Sequence, residues 1–232
     1  MNTSKSLFLS RYFIGITPAP AHPHNDHEIF TVAEDVAGKY PIRTSSPDGW
    51  RTDREQIEYL WYEYGFSIFP LLDGGIYYFI KGNITEETKE ITAKMPRIKW
   101  EKYMTTHPTE EEVQTWLNNY PRANYAIACG KVSDLCVIDC DSDEAIAWAH
   151  RNLVYTPVQV QTRRGIQFYY RVPQDEVEWK RESAYLSKLH IDLLSTGKYV
   201  VAPGSLHPDG KTVYRLNFAE TVYNWQEDVP QW

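Results

Sequence analysis

An α+β fold with a largely antiparallel sheet is what this sequence predicts, on three observations. Helix-period stretches and short apolar runs are interspersed along the chain with no internal repeat. Most strand-like runs are separated by only a few turn residues, too few for the crossover that parallel neighbours require. Finally, 232 residues with 42% hydrophobic and 14% aromatic content are enough for a sizeable core without disulfides.

Residues 1–51 read as a partly irregular N-terminal extension, 52–220 as the folded domain and 221–232 as a C-terminal tail. In the extension, ITPAPAHPHNDHE is rich in Pro and His, and TSSPDGW is a turn cluster. His22, His24 and His27, with Asp26 and Glu28, carry metal-binding groups, but alternating Pro and His is first of all a polar-linker composition. TDREQIEYLWYEYG is a helix: a capping residue, an apolar stripe of Ile57, Leu60, Trp61 and Tyr64, and a terminating Gly65. FSIFPLL is a strand, LDGG at 72–75 a hairpin-type turn and IYYFI the returning strand. KMPRIKW at 94–100 follows a charged stretch. Thr109 and Glu112 form a capping box that opens a second helix, TEEEVQTWLNNY. ANYAIACG and LCVIDCD are apolar strands joined by KVSD, and SDEAIAWAHRNL is a third helix capped by Ser142. VQVQT and IQFYYRV pair across RRG. HIDLL and KYVVAPG lie about a GK turn, and TVYRL is the last strand.

Composition narrows the function. A net charge of −7 counts against a protein that coats nucleic acid by charge alone. It leaves room for a local basic groove, and metal-holding carboxylates add to the negative total. The three cysteines, Cys129, Cys136 and Cys140, are odd in number and show no CxxC spacing, so neither a disulfide framework nor a zinc ribbon is expected. No apolar run approaches the roughly 20 residues of a membrane span. KSLFLSRYFIGI lacks the h-region and cleavage site of a signal peptide, so a cytoplasmic protein is expected.

The chemistry concentrates in VIDCD. Asp139 and Asp141 stand at i and i+2 on a strand, so both point to one face. Two carboxylates so placed repel unless a cation sits between them, and a hard divalent ion with oxygen ligands suits. Asp143 and Glu144 continue the acidic run but fall in a first helical turn, where the helix dipole already accounts for them. A bare DxD also occurs in glycosyltransferases, in phosphatases and on solvated turns. Asp192, between Ile191 and Leu193 in another apolar strand, supplies a third carboxylate that is costly there unless it faces water or a partner. Three carboxylates on adjacent strands suit the two ions of phosphoryl-transfer enzymes.

In their order, these segments resemble the N-terminal primase–polymerase domain of plasmid, phage and mobile-element replication proteins, a branch of the archaeo-eukaryotic primase superfamily. The resemblance covers roughly residues 53–217. It rests on the opening helix with YGFSIFPLLDGG, on KMPRIKW, on PRANYAIACGKVSDLCVIDCD, on VQTRRGIQFYYRV and on HIDLLSTGKYVVAPGSLHPDGKTVY. It implies a mixed, mainly antiparallel sheet flanked by helices, with an RRM-like catalytic core. It further implies that Asp139, Asp141 and Asp192 are the catalytic residues and metal ligands for two Mg²⁺ or Mn²⁺ ions. TRRG would approach the triphosphate, with Arg163 and Arg164 as phosphate partners and Gly165 allowing close backbone approach. Ser205 and His207 belong to the third motif and to the nucleotide site. Gln167 stands where the family usually has a histidine that contacts the nucleotide's phosphates. Gln167 is expected to bind the nucleotide by donating a hydrogen bond to a triphosphate oxygen, but it cannot become cationic, so a weakened enzyme is one expectation.

The expected partners are a DNA template and primer, dNTP or NTP, and a separately encoded helicase, since the sequence up to VPQW shows no motor segment. Two other classes stay open from the residues. One is a catalytically silent nucleic-acid-binding module of a replication or defence system. The other is a DxD glycosyltransferase or nuclease on a different fold, against which the ordered TRRG and PGSLHPDG segments speak.

Overall fold

The computed structural model describes residues 51–73, 94–172, 186–207, 209–216 and 224–231 in full, together with the backbone of short strands at 29–30, 42–44, 76–80 and 88–92. The candidate metal cluster at His22, His24, Asp26, His27 and Glu28 lies outside the described residues. The helices form where the capping chemistry places them. Helix α1 (Arg54–Tyr62) starts after Asp53, whose carboxylate accepts from the Gln56 backbone N–H, and it buries Ile57 and Leu60. Helix α2 (Glu110–Asn119) opens with a complete capping box between Thr109 and Glu112 and buries Val113, Trp116 and Leu117. Helix α3 (Asp143–Asn152) is capped by Ser142 and buries Ala145 and Ala149. A short α4 (Trp225–Asp228) lies near the C-terminus. No described helix is long and apolar enough to cross a membrane.

The strands are β1 (Ile29–Phe30), β2 (Ile42–Thr44), β3 (Ile68–Asp73), β4 (Ile76–Ile80), β5 (Thr88–Thr92), β6 (Ala123–Ala128), β7 (Cys136–Cys140), β8 (Gln159–Gln161), β9 (Ile166–Tyr170), β10 (Ile191–Leu194), β11 (Tyr199–Val201) and β12 (Arg215–Leu216). They form three sheets, ordered β1-β2-β4-β5, β10-β7-β9-β8-β12 and β11-β6-β3. Every ladder among the described residues is antiparallel, and the one parallel contact among them is the isolated bridge between Arg171 and Gln231. Helices and antiparallel sheet together make the α+β fold that the sequence predicts.

One pairing differs from expectation. IYYFI does not return alongside FSIFPLL: β3 pairs with β6, while β4 pairs with β2 and β5. The reason is visible on the other edge of β3. There Leu72 N–H donates to the Met95 carbonyl and Arg97 N–H to the Pro70 carbonyl, so KMPRIKW already fills the place a returning strand would take. Arg97 also pairs with Asp73 at 2.5 Å.

Strand β7, between β10 and β9 in the five-stranded sheet, is buried on both faces, which explains its near-continuous apolar run. Alternate residues Cys136, Ile138 and Cys140 join Phe168, Tyr170, Ile191 and Leu193 beneath α3. Val137, Tyr169 and Val160 face the larger core shared with α1, α2, β3 and β6. Trp225 of α4 belongs to that same core, edge-on to Phe66 at 4.9 Å. The β6–β7 and β10–β11 segments each pass from one sheet to the other across their turns, β7 and β10 pairing in one and β6 and β11 in the other. Gly130 permits the first passage: its φ is 94°, and a Cβ there would lie 2.4 Å from Thr196 Oγ1.

Candidate functional site

Register, not only spacing, assembles the carboxylates. Asp139 on β7 stands directly opposite Asp192 on β10 and directly opposite Gln167 on β9. Directly opposed residues in antiparallel strands share a face, so Asp192, Asp139 and Gln167 form one row across three strands. Asp141 follows just past the end of β7 and is exposed, as is Asp192. Like charges opposed in this way destabilise the sheet unless a cation offsets them.

Asp139 carries the strain of this arrangement. One oxygen, Oδ2, accepts from Gln167 Nε2 at 3.2 Å. The other, Oδ1, is fully enclosed and has no partner, and neither has Gln167 Oε1. Burial pushes the Asp139 carboxyl up to about 7, and the charges of Asp141 and Asp192 push the same way, while the Gln167 hydrogen bond and the Lys94 charge oppose them. Among the described residues, no three His, Cys, Asp or Glu side chains close into a metal-holding group. The donor set is nonetheless of the right kind for a hard divalent ion: acceptor-only oxygens, mutually repelling, one of them buried and unpaired.

The TRRG turn packs against the end of β7. Thr162 closes it through its N–H to the Gly165 carbonyl and its hydroxyl, which accepts from Gly165 N–H. A Cβ on Gly165 would sit 1.7 Å from the Cys140 carbonyl oxygen and 3.0 Å from Asp141 Cα. Only glycine lets the turn lie this close to the DxD segment. Arg163 and Arg164 are both exposed there.

The loop after β11 completes the surroundings. Ser205 is buried, and its hydroxyl accepts from the Tyr125 N–H at 3.1 Å. Asn124 holds Leu206 through both backbone groups, at 2.6 and 2.8 Å. Ser205 and Asn124 thus fix the loop to β6 and hold His207 in place. His207 Nδ1 accepts from the Asp209 N–H at 3.0 Å, so the neutral ring carries its proton on Nε2. Burial lowers the His207 pKa. Asp209 opposes this, and the charges of Lys94 and Arg163 reinforce it.

Lys94, at the head of KMPRIKW, is not among the residues that the motifs point to, yet it borders this region. Its charge acts on both Asp139 and His207, and its carbonyl accepts from the Tyr199 hydroxyl at 3.1 Å. Its place at the head of KMPRIKW was the available signal. An acidic corner therefore borders a zone influenced by Lys94, Arg163 and the His207 N–H. Such a pairing suits a metal-bound polyphosphate. All three cysteines are buried and free.

The family model described as bifunctional DNA primase/polymerase, N-terminal, matches residues 58–232. No curated protein matches the chain. The chain belongs to the family of bifunctional DNA primase/polymerase N-terminal domains.

Proposed function

We propose that this primase/polymerase domain performs template-dependent nucleotidyl transfer at the corner formed by Asp139, Asp141 and Asp192, in the replication of a plasmid, phage or mobile element. The observation that carries the proposal is the buried, unpartnered Asp139 oxygen in register with Asp192. Asp139, Asp141 and Asp192 would hold two Mg²⁺ or Mn²⁺ ions. When bound, such ions lower the pKa of the attacking 3′-hydroxyl and neutralise charge on the leaving pyrophosphate.

The protein's own groups do the rest. Arg163, Arg164 and Lys94 bind the triphosphate oxygens, and His207 donates from Nε2 to the same group. Ser205 orients the His207 loop through the Tyr125 backbone. Gly165 keeps the arginine turn against the carboxylates. The partners are primed DNA and dNTP or NTP.

A second reading, a catalytically silent nucleic-acid-binding module, is favoured by one observation: a neutral amide, Gln167, stands opposite Asp139. Incorporation of labelled nucleotide on a primed template, with and without chelator, separates the two. Extension in Mg²⁺ or Mn²⁺ that chelator stops is the expected result. DNA binding without extension in either metal would establish the silent module instead.

A further inference from the structure

Gln167 is more than a substituted position. It is buried at 3% exposure, in the middle of a sheet row that continues on its other side to Val160. Its amide has one donating and one accepting end. The donating end is committed to Asp139 Oδ2. Turning the amide over would set oxygen against carboxylate oxygen, so the orientation follows from Asp139. The accepting end, Oε1, is enclosed and has no donor. The same is true of Asp139 Oδ1. Two joined groups therefore each present a buried, unsatisfied oxygen. A buried acceptor left unpaired is costly, so each of these oxygens calls for a donor or a cation.

We infer that Gln167 is itself a metal ligand, its Oε1 binding the same divalent ion as Asp139, so that a neutral hard oxygen stands where an imidazole would otherwise face the nucleotide. This rests on the metal-site reading proposed above and adds to it a ligand and a metal preference. Amide oxygen favours Mg²⁺-type ions. Imidazole nitrogen moves preference along the transition series, towards Mn²⁺ and beyond.

The test uses the nucleotide-free protein and the metals alone. Mn²⁺ binding is followed by the electron paramagnetic resonance of the free aquo ion, and Mg²⁺ affinity by displacement. Gln167→Leu, which keeps the volume, is expected to weaken Mn²⁺ binding about tenfold. Gln167→His keeps a donor for Asp139 and replaces oxygen by nitrogen. It is expected to raise the Mn²⁺-over-Mg²⁺ preference several-fold, roughly as ligand softness dictates, and to add imidazole nitrogen modulation to the Mn²⁺ spin echo.

An unchanged metal preference together with no added nitrogen modulation in Gln167→His would overturn the inference, leaving Gln167 as a positioning residue for Asp139. Should the His variant misfold, Gln167→Leu with wild-type Mn²⁺ affinity would overturn it as well. Asp139→Asn separates the two levels. If it binds Mn²⁺ as the wild type does, or the wild type binds none, the metal-site reading itself fails. If it alone loses the ion, only the role of Gln167 fails.

Discussion

Asp139 joins burial, like charge and an unpaired oxygen in one side chain, so its titration should be visible in stability. Its folded-state pKa, near 7, lies above the ordinary carboxylate value. Between about pH 4 and 7 the folded protein then holds a proton that the unfolded chain has released. Stability from this group is greatest at the acid end of that window, falls as pH rises through it, and is level above. Metal-free protein should therefore unfold more easily at pH 8 than at pH 5.5, by roughly 1–3 kcal/mol from this group. Asp139→Asn should remove that slope. Denaturant melts at the two pH values, in chelator, check it; an unchanged slope in the variant would contradict the assignment. Gly165 is the second residue-scale case. Gly165→Ala places a methyl against the Cys140 carbonyl, which should cost about 1–3 kcal/mol. By moving the arginine turn it should also lower nucleotide incorporation roughly a hundredfold. Full activity at normal stability would show that the turn does not need its close approach.

At the scale of elements, local chemistry was legible wherever it is short-range. The Thr109–Glu112 box, the Ser142 cap and the hairpin across RRG each form as their sequences predict. Thr109→Ala should accordingly lower the melting temperature by about 2–4 °C, the effect of ~1 kcal/mol in a chain of this size, with incorporation unchanged. A thermal scan beside an activity assay tests this, and a large activity loss would mean that α2 has a further role. Long-range pairing was not legible. The partner of β4 depends on which edge of β3 is free, and that was decided by Met95–Arg97, residues with no strand pattern of their own. The candidate site divides the same way. The DxD spacing announces Asp139 and Asp141, and the apolar flanks announce Asp192. The opposition of Asp192 and Gln167 to Asp139 is a matter of register, set by pairing across many residues of sequence separation. Lys94 reaches the site from a segment whose recognisable feature was its proline and tryptophan.

For the whole molecule, the core unites parts that the sequence seemed to keep separate. Trp225 and Val229, from the stretch expected to be a tail, pack with Phe66 and the α1 and α2 faces. The extension supplies β1 and β2, which pair into the sheet of β4 and β5. Removing residues 1–45 should therefore uncover an edge of β4 and promote association, while activity per folded molecule is retained, because no described site residue comes from that stretch. Size-exclusion chromatography with an activity assay checks both halves of this expectation. A monomeric truncation without activity would place part of the site in the extension.

The proposed function places the ions for nucleotidyl transfer between opposed carboxylates on β7 and β10. It is tested most directly by single-turnover incorporation of one labelled dNTP on a primed template. Wild-type protein would be compared with Asp139→Ala, Asp141→Ala and Asp192→Ala, with thermal melts alongside. Each variant should lose at least roughly a thousandfold in rate, about 4 kcal/mol of transition-state stabilisation, while Asp141→Ala and Asp192→Ala, at exposed positions, melt no lower than the wild type in chelator, since a like charge has been removed. Wild-type rates in Asp139→Ala and Asp192→Ala would contradict the claim.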